Sequence, residues 1–114
     1  MTLQEGIAIA LFLASAFVGL AASVNTMRMV DEVNSKLSPE QQFAPLGWHY
    51  FKSRRLIEEY RRLYPSGHLI AREIALAAVA FGLGLVGAGL LAGPVASAWL
   101  AICGVVVAWL RYRR

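Results

Sequence analysis

The chain has 114 residues, of which 58% are hydrophobic and 16% charged, with a formal net charge of +4. This apolar share exceeds the roughly 45–50% usual in soluble domains, and the length allows one domain at most. Eight of the eleven Lys and Arg residues and six of the seven Asp and Glu residues lie between Asn25 and Glu73, so the basic excess reads as membrane topology and excludes nucleic acid as a partner.

Residues 1–26 form the first predicted element. Gly6 to Val24, GIAIALFLASAFVGLAASV, is uncharged for 19 residues. As a helix this run reaches about 28 Å, close to the roughly 30 Å hydrocarbon core of a bilayer. Thr2 and Glu5 have the S/T-x-x-E spacing of a capping box, which starts the helix just outside the membrane. Glu5 is the only charge before the run, and a leader peptide would carry Lys or Arg there. The segment therefore reads as a retained transmembrane helix. Ser15, Gly19 and Ser23 recur every four residues and form a small-residue stripe suited to close helix packing.

Residues 27–70 form a cytoplasmic helical segment. Met27, Val30, Val33 and Leu37 carry the helical spacing beyond the first span, with Arg28–Glu32 and Glu32–Lys36 as i,i+4 pairs. Ser38-Pro39-Glu40-Gln41 predicts a short second start, with Ser38 as cap and Gln41 closing a capping box. Pro45 ends or bends that piece. Over 46–64, Leu46, His49, Tyr50, Ser53, Leu56, Ile57, Tyr60, Leu63 and Tyr64 share one helical face, while Lys52, Arg55, Glu58, Glu59 and Arg62 share the other. Arg54–Glu58, Arg55–Glu59 and Glu58–Arg62 are i,i+4 pairs, which makes the two adjacent glutamates part of a surface lattice. Such a helix is expected along the inner membrane interface, with Arg54, Arg55, Arg61 and Arg62 toward anionic headgroups or an acidic partner surface. Trp48 and Phe51 fall on the charged side, either as partner anchors or packed under the Ala44–Gly47 turn. Pro65-Ser66-Gly67 stops the helix.

Residues 71–114 form a transmembrane helical hairpin with a basic tail. Ile74 to Leu110 is uncharged for 37 residues, too long for one crossing. Gly93-Pro94 divides it, so two antiparallel helices joined by a turn at 93–94 are predicted. Trp99 lies toward the outer interface, and Trp109 and Tyr112 form the inner aromatic belt. Residues 82–89, GLGLVGAG, contain G-x-G-x-x-G. A dinucleotide turn needs a preceding strand and an acidic residue about 20 positions later. IALAAVAF precedes the glycines and no Asp or Glu follows Glu73, so they serve helix packing instead. Gly89 and Gly93 have G-x-x-x-G spacing, which Gly82 and Ala78 extend as a second stripe. Cys103, the only cysteine, is expected to be a buried, inert thiol.

These elements predict an all-α integral membrane protein of three transmembrane helices. With every Lys and Arg on one side, the positive-inside rule puts the N-terminus outside and the C-terminus in the cytoplasm, as in a bacterial inner or plasma membrane. The spans contain no Asp, Glu, Lys, Arg or His, so transport by this chain alone is not expected. No hydrolase, zinc-protease or P-loop motif occurs, and neither an enzyme nor a small-molecule substrate is predicted. No cofactor or metal is expected; His49 and His68 are the only candidate ligands for a haem, a pigment or a metal. The expected role is an accessory or assembly subunit whose partners are the lipid bilayer and the other subunits of a membrane complex. In length, three spans, topology and basic tail the chain also resembles some phage holins, which implies a self-assembling pore; the long patterned cytoplasmic segment departs from that family.

Overall fold

No proline interrupts residues 3 to 34, and a closed capping box starts the run. In the computed structural model, which describes residues 2–44 and 47–113, helix α1 spans Leu3–Asn34 without a break. The Glu5 amide donates to Thr2 Oγ1 at 3.1 Å and the Thr2 amide to Glu5 Oε2 at 3.0 Å. At 1.5 Å per residue its 32 residues reach about 48 Å. The last turns therefore extend well past the uncharged run.

The loop after α1 is held by side-chain amides. Asn34 Nδ2 donates to the Phe43 carbonyl and Asn34 Oδ1 accepts from the Phe43 amide, so one side chain acts as a strand partner for the loop. Gln42 donates to the carbonyls of Asn34 and Leu37, at the end of α1. Pro39–Gln41 is a single 3-10 turn; Ser38 makes no side-chain cap bond, so the capping box expected there does not form.

Helix α2 spans Tyr50–Leu63, four residues shorter at its start than the apolar pattern suggests. His49 is its N-cap, with Nδ1 accepting from the Lys52 amide at 3.3 Å, and Gly47 before it takes a φ of 76° that suits glycine. Pro45 and Leu46, read as a helix break and as part of the apolar face, lie outside the described residues.

Helix α3 spans Leu69–Ala92 and α4 spans Pro94–Tyr112, with no loop between them. Gly93 is both the C-cap of α3 and the N-cap of α4, at a φ of 90°. That left-handed backbone requires glycine, so Gly93 is a turn residue and not a packing residue of the stripe it was read into. Among the described residues the fold is thus four α-helices and one 3-10 turn. Three of the helices, α1, α3 and α4, are long and apolar enough to cross a membrane.

The main core lies at one end of this bundle. Met29, Val30 and Val33 of α1, Phe43 of the loop, Leu56, Ile57 and Tyr60 of α2, and Leu69 of α3 are all buried and form one cluster. The apolar stripe of α2 is therefore spent on the extension of α1. The expected apolar face thus meets protein: α1 presents its own apolar stripe there, and the two stripes bury each other. Tyr60 closes the cluster. Its hydroxyl accepts from the Leu69 amide at the start of α3, and a Cβ on Gly67 would collide with that oxygen, so only glycine admits the ring there.

Truncation probes this core directly. Leu56→Ala should cost about 2–5 kcal/mol, whereas Phe51→Ala, at a residue 76% exposed, should cost less than about 0.5 kcal/mol. Hydrogen exchange across α2 in detergent checks both. Burial also raises the Tyr60 phenol above its ordinary value of 10.0, partly offset by the Leu69 amide. The proton is then held more tightly in the folded chain, so this stabilisation is present below pH 10 and is lost as pH rises through the folded value. Unfolding of wild type and Tyr60→Phe, compared between about pH 9 and about pH 11, should show the steeper alkaline loss in wild type only.

Candidate functional site

The three spans meet along two seams. Between antiparallel α1 and α3, Ser15 Oγ donates to the Ala80 carbonyl at 2.6 Å, and Gln4 donates to the Leu90 carbonyl near the far end. A Cβ on Gly87 would meet the Phe12 ring at 3.2 Å and the Ala8 carbonyl at 3.4 Å; one on Gly84 would meet Ser15 Oγ at 3.6 Å. Between α3 and α4, Ser97 Oγ donates to the Leu85 carbonyl at 3.0 Å. Here Gly104 admits the Phe81 ring, with which a Cβ would overlap.

Among the positions that touch across the α1–α3 seam, Ala8 and Ser15 of α1, like Ala80 and Gly87 of α3, are seven residues apart. A seven-residue repeat keeps one face turned to a neighbour through a left-handed crossing. The stripes read at four-residue spacing follow a different line. Of these, Ser15 lies in the α1–α3 seam and Gly89 faces Ser97 at 3.6 Å in the other. Ser23 bonds back to the Gly19 carbonyl of its own helix. Gly19 lines an open groove of about 640 Å³ with Phe12, Ser15, Ala80, Phe81 and Leu100. Gly82 has open space where a Cβ would be. Gly84, Gly87 and Gly104 are the packing glycines that the four-residue pattern missed.

At the core end of the seams lies a polar cluster. Glu73, 3% exposed, accepts on Oε1 from Arg111 at 2.8 Å and from the Thr26 hydroxyl at 2.7 Å. One carboxylate thus joins α1, α3 and α4. Next to it Asn25, equally buried, donates to the Leu69 carbonyl at 2.8 Å.

The end of α4 is held by α2. Arg54 donates to the carbonyls of Leu110 at 2.5 Å and of Arg111 and Arg113 at 3.2 Å, while Arg61 donates to those of Tyr112 at 2.5 Å and Arg113 at 3.4 Å. Tyr50 adds a bond to Leu110. Helix carbonyls without an intrahelical partner and the negative end of the helix dipole both favour cations here. Arg54 and Arg61 are therefore turned inward, a correction to their reading as partner or lipid contacts. Arg55 reaches the Gln41 carbonyl and covers the Phe43 ring, and Arg62 pairs with Glu59 at 2.5 Å. Of the three expected i,i+4 pairs on α2, Arg54–Glu58 is present at 3.3 Å.

Trp48 stacks on Phe43 with ring centroids 6.2 Å apart and lies under Lys52, while Pro45 and Leu46 of the turn it was read against lie outside the described residues. Phe51 stays exposed. His49 caps α2, and His68 stands exposed at the start of α3 without a side-chain cap bond. Among the described residues no group of three or more His, Cys, Asp or Glu side chains could hold a metal ion. Cys103 is exposed on α4, contrary to expectation, because no other helix of the chain covers that face. Arg114 lies outside the described residues. Neither protein-family models, nor curated proteins, nor solved structures give a match to this chain.

Removing one member of a buried ion pair strands the other. Glu73→Ala should therefore destabilise the bundle by about 3–5 kcal/mol, and Glu73→Leu combined with Arg111→Met should recover most of that loss. Unfolding in mixed detergent micelles, taken as a double-mutant cycle, measures both.

Proposed function

We propose that the chain is a small, non-catalytic integral membrane protein that serves as an accessory or assembly subunit of a larger membrane complex. One observation supports this reading above the others. The chain closes its polar end on itself, yet its most apolar windows are 6%, 6% and 0% buried in α1, α3 and α4. A bundle built this way has almost all its span surface available to lipid or to other helices, and small residues such as Gly82 let a foreign backbone approach closely. The gathering of the basic residues at the α2 end supports a cytoplasmic C-terminus and an outside N-terminus.

Mild-detergent extraction through an affinity tag, followed by a native gel and mass spectrometry, tests the proposal. Stoichiometric recovery with a larger complex supports it. A ladder of this chain alone overturns it in favour of the pore-forming reading.

Gly82 and Gly87 separate contacts with partners from contacts within the chain. Gly82→Leu should reduce recovery of the larger complex about tenfold, a loss of roughly 1.4 kcal/mol, while leaving the monomer's thermal unfolding unchanged. Gly87→Leu drives a side chain into Phe12 and should lower the unfolding temperature itself. Unchanged assembly in Gly82→Leu would remove that residue from the proposed surface.

A further inference from the structure

Eight of the ten Lys and Arg residues in the described chain have a side-chain partner. Lys36 and Lys52 lie over Tyr64 and Trp48, and Arg113 lies over Trp109. Arg54, Arg55, Arg61, Arg62 and Arg111 bond to carbonyls or carboxylates. The two left are Arg28 and Arg72. They stand on different helices, yet they line the same pocket, of about 270 Å³, together with Ala21, Val24 and Asn25.

The depth of this pocket is set by the sequence. Val24 is the last residue of the first uncharged run, and Arg28 lies one turn beyond it; Arg72 lies two residues before Ile74, where the second uncharged run opens. Both guanidinium groups therefore belong to the boundary between hydrocarbon and headgroups, above an apolar floor of Ala21 and Val24. The wall carries a second, independent feature. Asn25 is 3% exposed and spends its amide nitrogen on the Leu69 carbonyl, while its Oδ1 is buried with no partner among the described residues. Asn25 thus ties α1 to α3 behind the two guanidinium groups.

We propose that this pocket binds the headgroup of an anionic phospholipid. The phosphodiester takes Arg28 and Arg72, whose planar donor forks suit phosphate oxygens. An acyl chain runs down over Ala21 and Val24. α1 and α3 supply all the lining, so the pocket opens to the side, where a lipid arrives by diffusion in the plane of the bilayer. Basic pockets between helices at the headgroup level have this recognition chemistry, and the apolar floor of Ala21 and Val24 suits an acyl chain rather than an acidic protein surface. The inference goes beyond the accessory role and does not depend on which complex the chain joins.

The test is native mass spectrometry and thermal unfolding of the purified full chain in a nonionic detergent, with added phosphatidylglycerol, phosphatidylcholine or soluble glycerol phosphate. Phosphatidylglycerol should be retained about tenfold or more over phosphatidylcholine and should raise the unfolding temperature. The double variant Arg28→Gln/Arg72→Gln should lose that preference, while Arg55→Gln/Arg113→Gln, with the same change in charge, should keep it. Equal retention of the two lipids by wild type would overturn the proposal without reference to any variant. So would equal loss in both double variants, which would mean bulk attraction. Stabilisation by glycerol phosphate alone would overturn the lipid assignment, as would recovery of an acidic protein bound at Arg28 and Arg72 with no lipid retained.

Discussion

A carboxylate buried where three apolar helices converge cannot be left alone, and much of this structure depends on how Glu73 is answered. Its partners come from both neighbours of α3: the Thr26 hydroxyl from α1 and the Arg111 guanidinium from α4. Bringing Arg111 to Glu73 sets the length and register of the α3–α4 hairpin. Bringing Thr26 there sets α1 against α3, in step with the Ser15–Ala80 bond a few turns away. In a low-dielectric setting such a pair contributes little net stability, but any other register strands a charge. The interaction specifies more than it stabilises.

Around that point two kinds of packing meet. Along the three long apolar helices, backbones approach through small residues such as Ser15, Gly84 and Gly87. Beyond the spans a water-driven core of Met29, Val33, Leu56, Ile57 and Tyr60 takes over. α1 belongs to both and passes from one to the other without a break. Two basic side chains of the core region, Arg54 and Arg61, join the two by holding the end of α4. A basic segment at a membrane is therefore not by itself a lipid-binding segment; what matters is which cations remain unengaged.

Features with a local cause were legible in the sequence. The Thr2–Glu5 box, the three long apolar helices and the Gly93-Pro94 hairpin rest on length, spacing and backbone sterics within a few residues. The seams were legible only at the wrong period. The small residues that meet another helix, Ser15, Gly84, Gly87, Gly89 and Gly104, do not follow a single four-residue line. Glu73 was passed over because it stands one residue outside an uncharged run, and Arg111 is 38 positions away. For α2, amphipathicity identified the buried face of Leu56, Ile57 and Tyr60 without saying whether lipid or protein would cover it. The arginine grip on α4 had no sequence signal, since it reads main-chain carbonyls and would tolerate many residues at 110–113.

The loopless turn at Gly93 has one more consequence. With α3 passing into α4 through a single residue, the end of the hairpin remote from α2 has no loop of its own. A protease or an antibody that needs a loop of several residues would find none between α3 and α4.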